Sequence, residues 1–245
     1  MNMKRIIFLH HSTGESIWVG RTNHYVYRLA GRADVNLCFK RYNRKNKTRY
    51  SITQRNFPAL SPYGWKNYPY DYYNIWVKHA GDKPYLNEPT LEILTQTYDI
   101  IIFKHCFPVS MIKGDTGKPD IDSSEKRLEN YKVQYDALKR KMHEFTDNRF
   151  IVWTPPVMVE GGRLTEDQAI RTREFHRWIM EEWNEKGDNI FIWDFYNYQT
   201  EGGLYFKDEY SKGGGDSHPS KDFAGRLAPL FARFIIDVAE GTTAG

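Results

Sequence analysis

The chain has little cysteine, little net charge and no long apolar run, and each shortage excludes something. Cys38 and Cys106 are its only cysteines, too few for a disulfide framework. Both lie in apolar, strand-like stretches where a buried thiol is ordinary. A formal charge of +4 over 245 residues gives no reason to expect a nucleic-acid partner. No stretch approaches the length of a membrane span, so no membrane partner is expected either. Lys4-Arg5 is followed by only Ile6 to Leu9 before two histidines, too short for the apolar region of a signal peptide. The expectation is a soluble chain, cytoplasmic as it stands, or secreted where a signal peptide was removed before Met1. There is no Pro/Gly/Ser-rich linker and no internal repeat, and the 40% hydrophobic content is enough for a sizeable core. We therefore expect one domain spanning 1–245, with its oligomeric state left open.

Five short runs rich in Ile, Val and Phe read as strands buried on both faces: Arg5 to His10, Val35 to Phe39, Asp99 to Phe103, Phe150 to Thr154 and Ile190 to Phe195. Helical patterns lie between them. From Asp122 to Phe145, Leu128, Tyr131, Tyr135, Leu138, Met142 and Phe145 recur at three- and four-residue spacing, with Asp122 and Glu125 placed like a capping box. Thr165 and Gln168 form a second such box, ahead of a helix that stops near Gly187. A last helix follows Pro219 and presents Phe223, Leu227, Phe231, Phe234 and Val238 on one face. Strands alternating with helices predict βαβ units, an α/β fold and a mostly parallel sheet covered on both sides.

The stretch from about 42 to 83 fits no such unit and reads as an irregular insertion near the active-site end. Between Lys40 and Arg55, Lys40, Arg41, Arg44, Lys45, Lys47, Arg49 and Arg55 occur with no acidic residue among them. They read as a solvated basic loop or as a patch steering an anionic substrate. Tyr63, Trp65, Tyr68, Tyr70, Tyr72, Tyr73 and Trp76 follow, broken by Pro62, Gly64 and Pro69. They read equally as core packing under a loop and as the wall of a substrate pocket.

Chemistry-bearing residues concentrate at the two ends. Ser12 follows the first strand and precedes Thr13-Gly14, where a tight strand-to-helix turn gathers backbone N–H groups. A serine hydroxyl needs a base to become a nucleophile, and His218, before a helix-compatible proline, is the best placed. Either alone is an ordinary cap or loop residue. Together, at the two expected ends of an α/β chain, they point to an activated serine, with Asp216 to orient the imidazole.

With these residues the chain resembles the SGNH/GDSL hydrolase superfamily of esterases, lipases and carbohydrate deacetylases. His10-His11-Ser12-Thr13-Gly14 is similar to a divergent branch with HHSTG in place of GDS. The stretches from Tyr70 to Gly81 and from Ile102 to Pro108 look typical of that branch. The resemblance implies a three-layer, flavodoxin-like α/β/α sandwich around a five-stranded sheet, with Ser12 and His218 at its active site. It departs in three places. The superfamily's acidic residue stands three before the histidine, where this chain has Gly215, and Asp216 stands two before. Asp216, a distal carboxylate such as Asp194, or a Ser-His dyad are the alternatives. The oxyanion-binding asparagine is replaced by His105, so His105 or Lys104 is expected to assist the N–H of Ser12. The second-block glycine has only Gly64 as a match. His11, Gly14, Gly64 and Trp65 complete the expected pocket.

The resulting expectation is a serine esterase removing O-acyl groups from a carbohydrate or related small ester, without cofactor or metal. One alternative is an inactive glycan-binding module on the same fold. The other is a metal-dependent phosphoesterase using His10, His11, His105, Asp216 and His218 as ligands, although no pair of them has a recognised ligand spacing.

Overall fold

The computed structural model describes residues 3–63 and 67–243. Strand β1 (Met3–His10) is followed by helices α1 (Ser12–Val19), α2 (His24–Ala30) and α3 (Asp34–Asn46), and then by β2 (Arg49–Asn56). A short turn α4 (Leu60–Tyr63), α5 (Pro69–Tyr73) with a wider turn at Asn74–Lys78, and α6 (Leu91–Thr97) lead to β3 (Ile100–Phe103). After it come α7 (Leu128–His143), β4 (Arg149–Trp153), α8 (Glu166–Trp178), β5 (Ile190–Trp193) and α9 (Phe195–Thr200). A hairpin of β6 (Ser211–Gly213) and β7 (Asp216–Pro219) precedes α10 (Lys221–Glu240).

The five long-range strands form one parallel sheet in the order β2-β1-β3-β4-β5. Helices cover both faces, which is why β1, β3, β4 and β5 read as unbroken apolar runs. Alternation splits each strand between two cores. Ile6, Phe8, Ile100 and Ile102 face α1, α3 and α10, whereas Ile7, Leu9, Ile101 and Phe103 face α5, α6, α7 and α8. The connections leave β1 and β3 in opposite directions, which puts the crevice at their carboxyl ends.

The second strand is not where the apolar run suggested. Val35 to Phe39 lies inside α3, where Val35 and Phe39 are buried one helical turn apart and Cys38 and Tyr42 extend the same stripe. The strand is the polar segment Arg49–Asn56 at the sheet edge, where Tyr50, Ile52 and Gln54 alternate with exposed Ser51, Thr53 and Arg55. An edge strand has one open face, so it alternates, and its charges discourage further pairing. The supposed insertion thus supplies β2 and α5. Its basic residues are distributed over the exposed side of α3 and over β2. Among its described aromatics, Tyr68, Tyr72 and Trp76 belong to the core, each 2% exposed or less. Helix α7 starts at Leu128, later than expected, because Asp122 bonds Lys78 and Tyr73 and Glu125 bonds Lys113 in place of capping. The Thr165–Gln168 capping box forms in full.

Candidate active site

Ser12 is the first residue of α1, two residues beyond the carboxyl end of β1 at the β1/β3 crevice. His11 caps the helix in an extended conformation, and its Nε2 donates to the Pro58 carbonyl at 2.7 Å. Burial holds the His11 imidazole below its usual range, so it is a neutral donor. Gly14 is required by close approach. A Cβ there would stand 2.5 Å from His10 Cβ and 3.0 Å from Lys104 Cδ, so α1 rests directly on the ends of β1 and β3. By helix geometry the N–H groups of Ser12, Thr13 and Gly14 lack intrahelical acceptors, since the first such bond runs from Glu15 N to His11 O.

His218 comes from the β6–β7 hairpin. Its two-residue loop, Gly214-Gly215, has φ of 63° and 80°, the backbone a primed turn demands. Because β7 is a strand, Asp216 and His218 two residues apart share a face, and Asp216 reaches the imidazole from a position one closer than the superfamily pattern. Asp216 Oδ1 lies 2.5 Å from His218 Nδ1 and accepts the His218 N–H at 2.9 Å. Desolvation pushes the Asp216 carboxyl up, but these hydrogen bonds and the charge of Lys212 outweigh it and leave the group below its usual range. An ionised carboxylate obliges Nδ1 to donate. Nε2 is then the acceptor, and it lies 2.9 Å from Ser12 Oγ. The Phe107 ring stands edge-on to the imidazole at 5.1 Å.

Ser12 and His218 open on a cleft of about 350 Å³ lined also by Glu15, Ser16, Val19, Lys212 and Lys221 among others, with Asp216 behind the imidazole. A larger hollow, about 840 Å³, lies at the opposite ends of the strands and is not lined by Ser12, Asp216 or His218.

Other expected residues are placed elsewhere. His105 follows Ile101 and Phe103 in alternation and so points to the face away from α1. There its Nε2 meets the Tyr135 hydroxyl at 2.8 Å among the rings of Tyr72 and Phe103. Burial lowers its pKa to about 3, and its place beside Tyr135, on the far face from α1, keeps it from an oxyanion at Ser12. Lys104 has the right parity but is fully buried under Gly14 and does not line the cleft. Its Nζ is 4.0 Å from Cys106 Sγ, it has no carboxylate partner among the described residues, and burial lowers its pKa. Asp194 serves another network, bonding His176 at 2.8 Å and Thr154 at 3.1 Å while capping α9. Gly64 and Trp65 lie outside the described residues. The five residues weighed as metal ligands do not gather. The ligand cluster found among the described residues is instead His143, Glu185 and Asp188, at the amino end of β5.

Cys106, read from sequence as an ordinary core thiol, has a place in the site. Its sulfur interacts with the Ser12 hydroxyl and the Thr13 N–H, while burial pushes the thiol up and keeps it neutral. The sequence signal was its position three residues past β3, the strand beside the one that delivers Ser12.

No protein-family model matches the chain, and no curated protein matches it. Solved structures do. A lipase from a goat rumen metagenome, 14% identical, aligns with a TM-score of 0.53 over 94% of this chain and 96% of the lipase. A gut microbial diltiazem-metabolizing enzyme, 13% identical, aligns at 0.50 over 98% of this chain, which spans 47% of that enzyme. A carbohydrate acetylesterase from Xanthomonas citri, 12% identical, aligns at 0.47 over 97% of this chain and 57% of its own. Identities this low speak to architecture, and in architecture this chain has the fold of the SGNH/GDSL hydrolases.

Proposed function

We propose that the protein is a serine ester hydrolase. The observation that carries this reading is the continuous relay from Asp216 through His218 to Ser12, with contacts of 2.5 and 2.9 Å, opening on a cleft. His218 Nε2 takes the Ser12 proton as Oγ attacks the ester carbonyl, and the imidazolium so formed is held by the Asp216 carboxylate. The tetrahedral oxyanion is received by the N–H groups of the first turn of α1, those of Ser12 and Gly14, at the positive end of the helix. His218 then returns the proton to the leaving alkoxide, and water repeats the sequence on the acyl-enzyme.

The substrate is proposed as a small acyl ester. A sugar substrate rested on the aromatic segment as a pocket wall, and Tyr68, Tyr72 and Trp76 pack in the core. A glycan-binding module, the alternative suggested by the diverged second and third blocks, would leave Ser12 unlabelled by a fluorophosphonate.

The test is hydrolysis of 4-nitrophenyl acetate without added metal, together with labelling by a fluorophosphonate. Ser12→Ala should abolish labelling and lower kcat by roughly 10³-fold or more. Turnover that survives Ser12→Ala and disappears with a chelator would overturn the reading.

A further inference from the structure

The cleft beside Ser12 carries more positive charge than the hydrolytic chemistry needs. Lys212 on β6 and Lys221 at the first position of α10 both line it. Neither makes an ion pair among the described residues. Lys221 also sits at a helix N-terminus, where the dipole disfavours a cation, so α10 gains nothing from it. The carboxylates nearby are occupied. Glu15, the one carboxylate lining the cleft, is hydrogen-bonded to Tyr27. Asp216 is held by His218, and Asp222 faces Arg21 at 3.8 Å. Two ammonium groups without an ion pair, of which Lys212 also acts at longer range on Asp216, and the positive end of a twenty-residue helix therefore outweigh the one lining carboxylate at the space a substrate must enter.

From this we infer that the enzyme selects esters carrying an anionic group, a carboxylate or comparable oxyanion, which Lys212 and Lys221 receive while Ser12 meets the acyl carbon. The inference rests on the esterase reading and names its substrate class. Both lysines are solvent-exposed, so the attraction is moderate and screened by salt. It governs which ester is captured, and so it belongs to kcat/KM.

The experiment compares 4-acetoxybenzoate with the neutral 4-acetoxybenzamide, two acetyl esters differing in one charge, at low and high ionic strength. The measured quantity is the ratio of their kcat/KM values. In the double variant Lys212→Ala/Lys221→Ala the ratio should fall by about tenfold relative to wild type at low salt, as expected for losing two partly screened charges. Raising the salt should lower the wild-type ratio in the same direction. Lys186→Ala, at the other end of the strands, removes one positive charge from the molecule and should leave the ratio where it was. A ratio indifferent to the double variant or to salt, or one shifted equally by Lys186→Ala, overturns the inference while the esterase reading stands. Failure of the wild type to cleave either acetyl ester overturns both.

Discussion

Asp216 is the residue whose replacement discriminates most sharply, because its spacing departs from the superfamily and its side chain is 43% exposed. In Asp216→Asn the amide oxygen can still accept the His218 N–H, so the hairpin keeps its shape and the charge is what is lost. When His218 becomes an imidazolium, an adjacent carboxylate at a charge separation of about 4 Å attracts it by about 4 kcal/mol at an effective dielectric of 20. Exposure of nearly half the side chain lets water screen about half of that, leaving about 2 kcal/mol. Weakening the bond to Nδ1–H adds about 1 kcal/mol. A total near 3 kcal/mol corresponds to a loss on the order of 10²-fold in kcat/KM. The assay is the initial rate on 4-nitrophenyl acetate, beside a thermal melt to show that the variant folds. A loss under about threefold would mean that Ser12 and His218 work as a dyad. A loss as deep as that of Ser12→Ala would mean that solvent cannot substitute for Asp216 and that the screening reasoning is wrong.

Acid should destabilise the fold through its buried histidines. His10 and His105 are lowered by burial from 6.5 to about 3, so the unfolded chain takes up their protons first, and stability is lost as pH falls from about 6.5 toward 3. Each should cost about 2 kcal/mol by pH 5. His105→Phe, which keeps a ring between Tyr72 and Phe103, should reduce the drop in Tm between neutral pH and pH 5 by about half, and an unaltered drop would refute the assignment. Lys104 gives the opposite handle on pH. Its amine is lowered by burial, so the unfolded chain binds that proton more tightly and stability rises as pH climbs toward the ordinary lysine range. Lys104→Met, similar in volume, should raise Tm at neutral pH by a few degrees and flatten that alkaline rise, and a lowered Tm would show that the ammonium is stabilised where it sits.

What the sequence disclosed, and what it withheld, follows from how local each determinant is. Buried parallel strands announce themselves because both faces are apolar, so β1, β3, β4 and β5 were legible to within a residue or two. The edge strand was not, since Arg49–Asn56 has one covered face and a polar composition, whereas Val35 to Phe39 imitates a buried strand over five residues and shows its helical stripe only when followed to Tyr42. Ser12 and His218 could be singled out because a strand end and a proline ahead of a helix are short-range facts, but the β6–β7 hairpin that sets Asp216 and His218 on one face was not read from the sequence. His105 was misplaced because the side of the sheet to which a residue belongs is a long-range one. The chain steps from β1 outward to β2, so a right-handed crossover puts α1 and α3 on one face. It then steps back past β1 to β3 and onward to β4 and β5, so the same handedness puts α5 through α8 on the other. Ser12 opens a helix of the first set, while His105 shares the parity of Ile101 and Phe103, which face the second. Lys104, of opposite parity, extends beneath Ser12's helix, where Gly14 leaves room for its stem but it does not line the cleft.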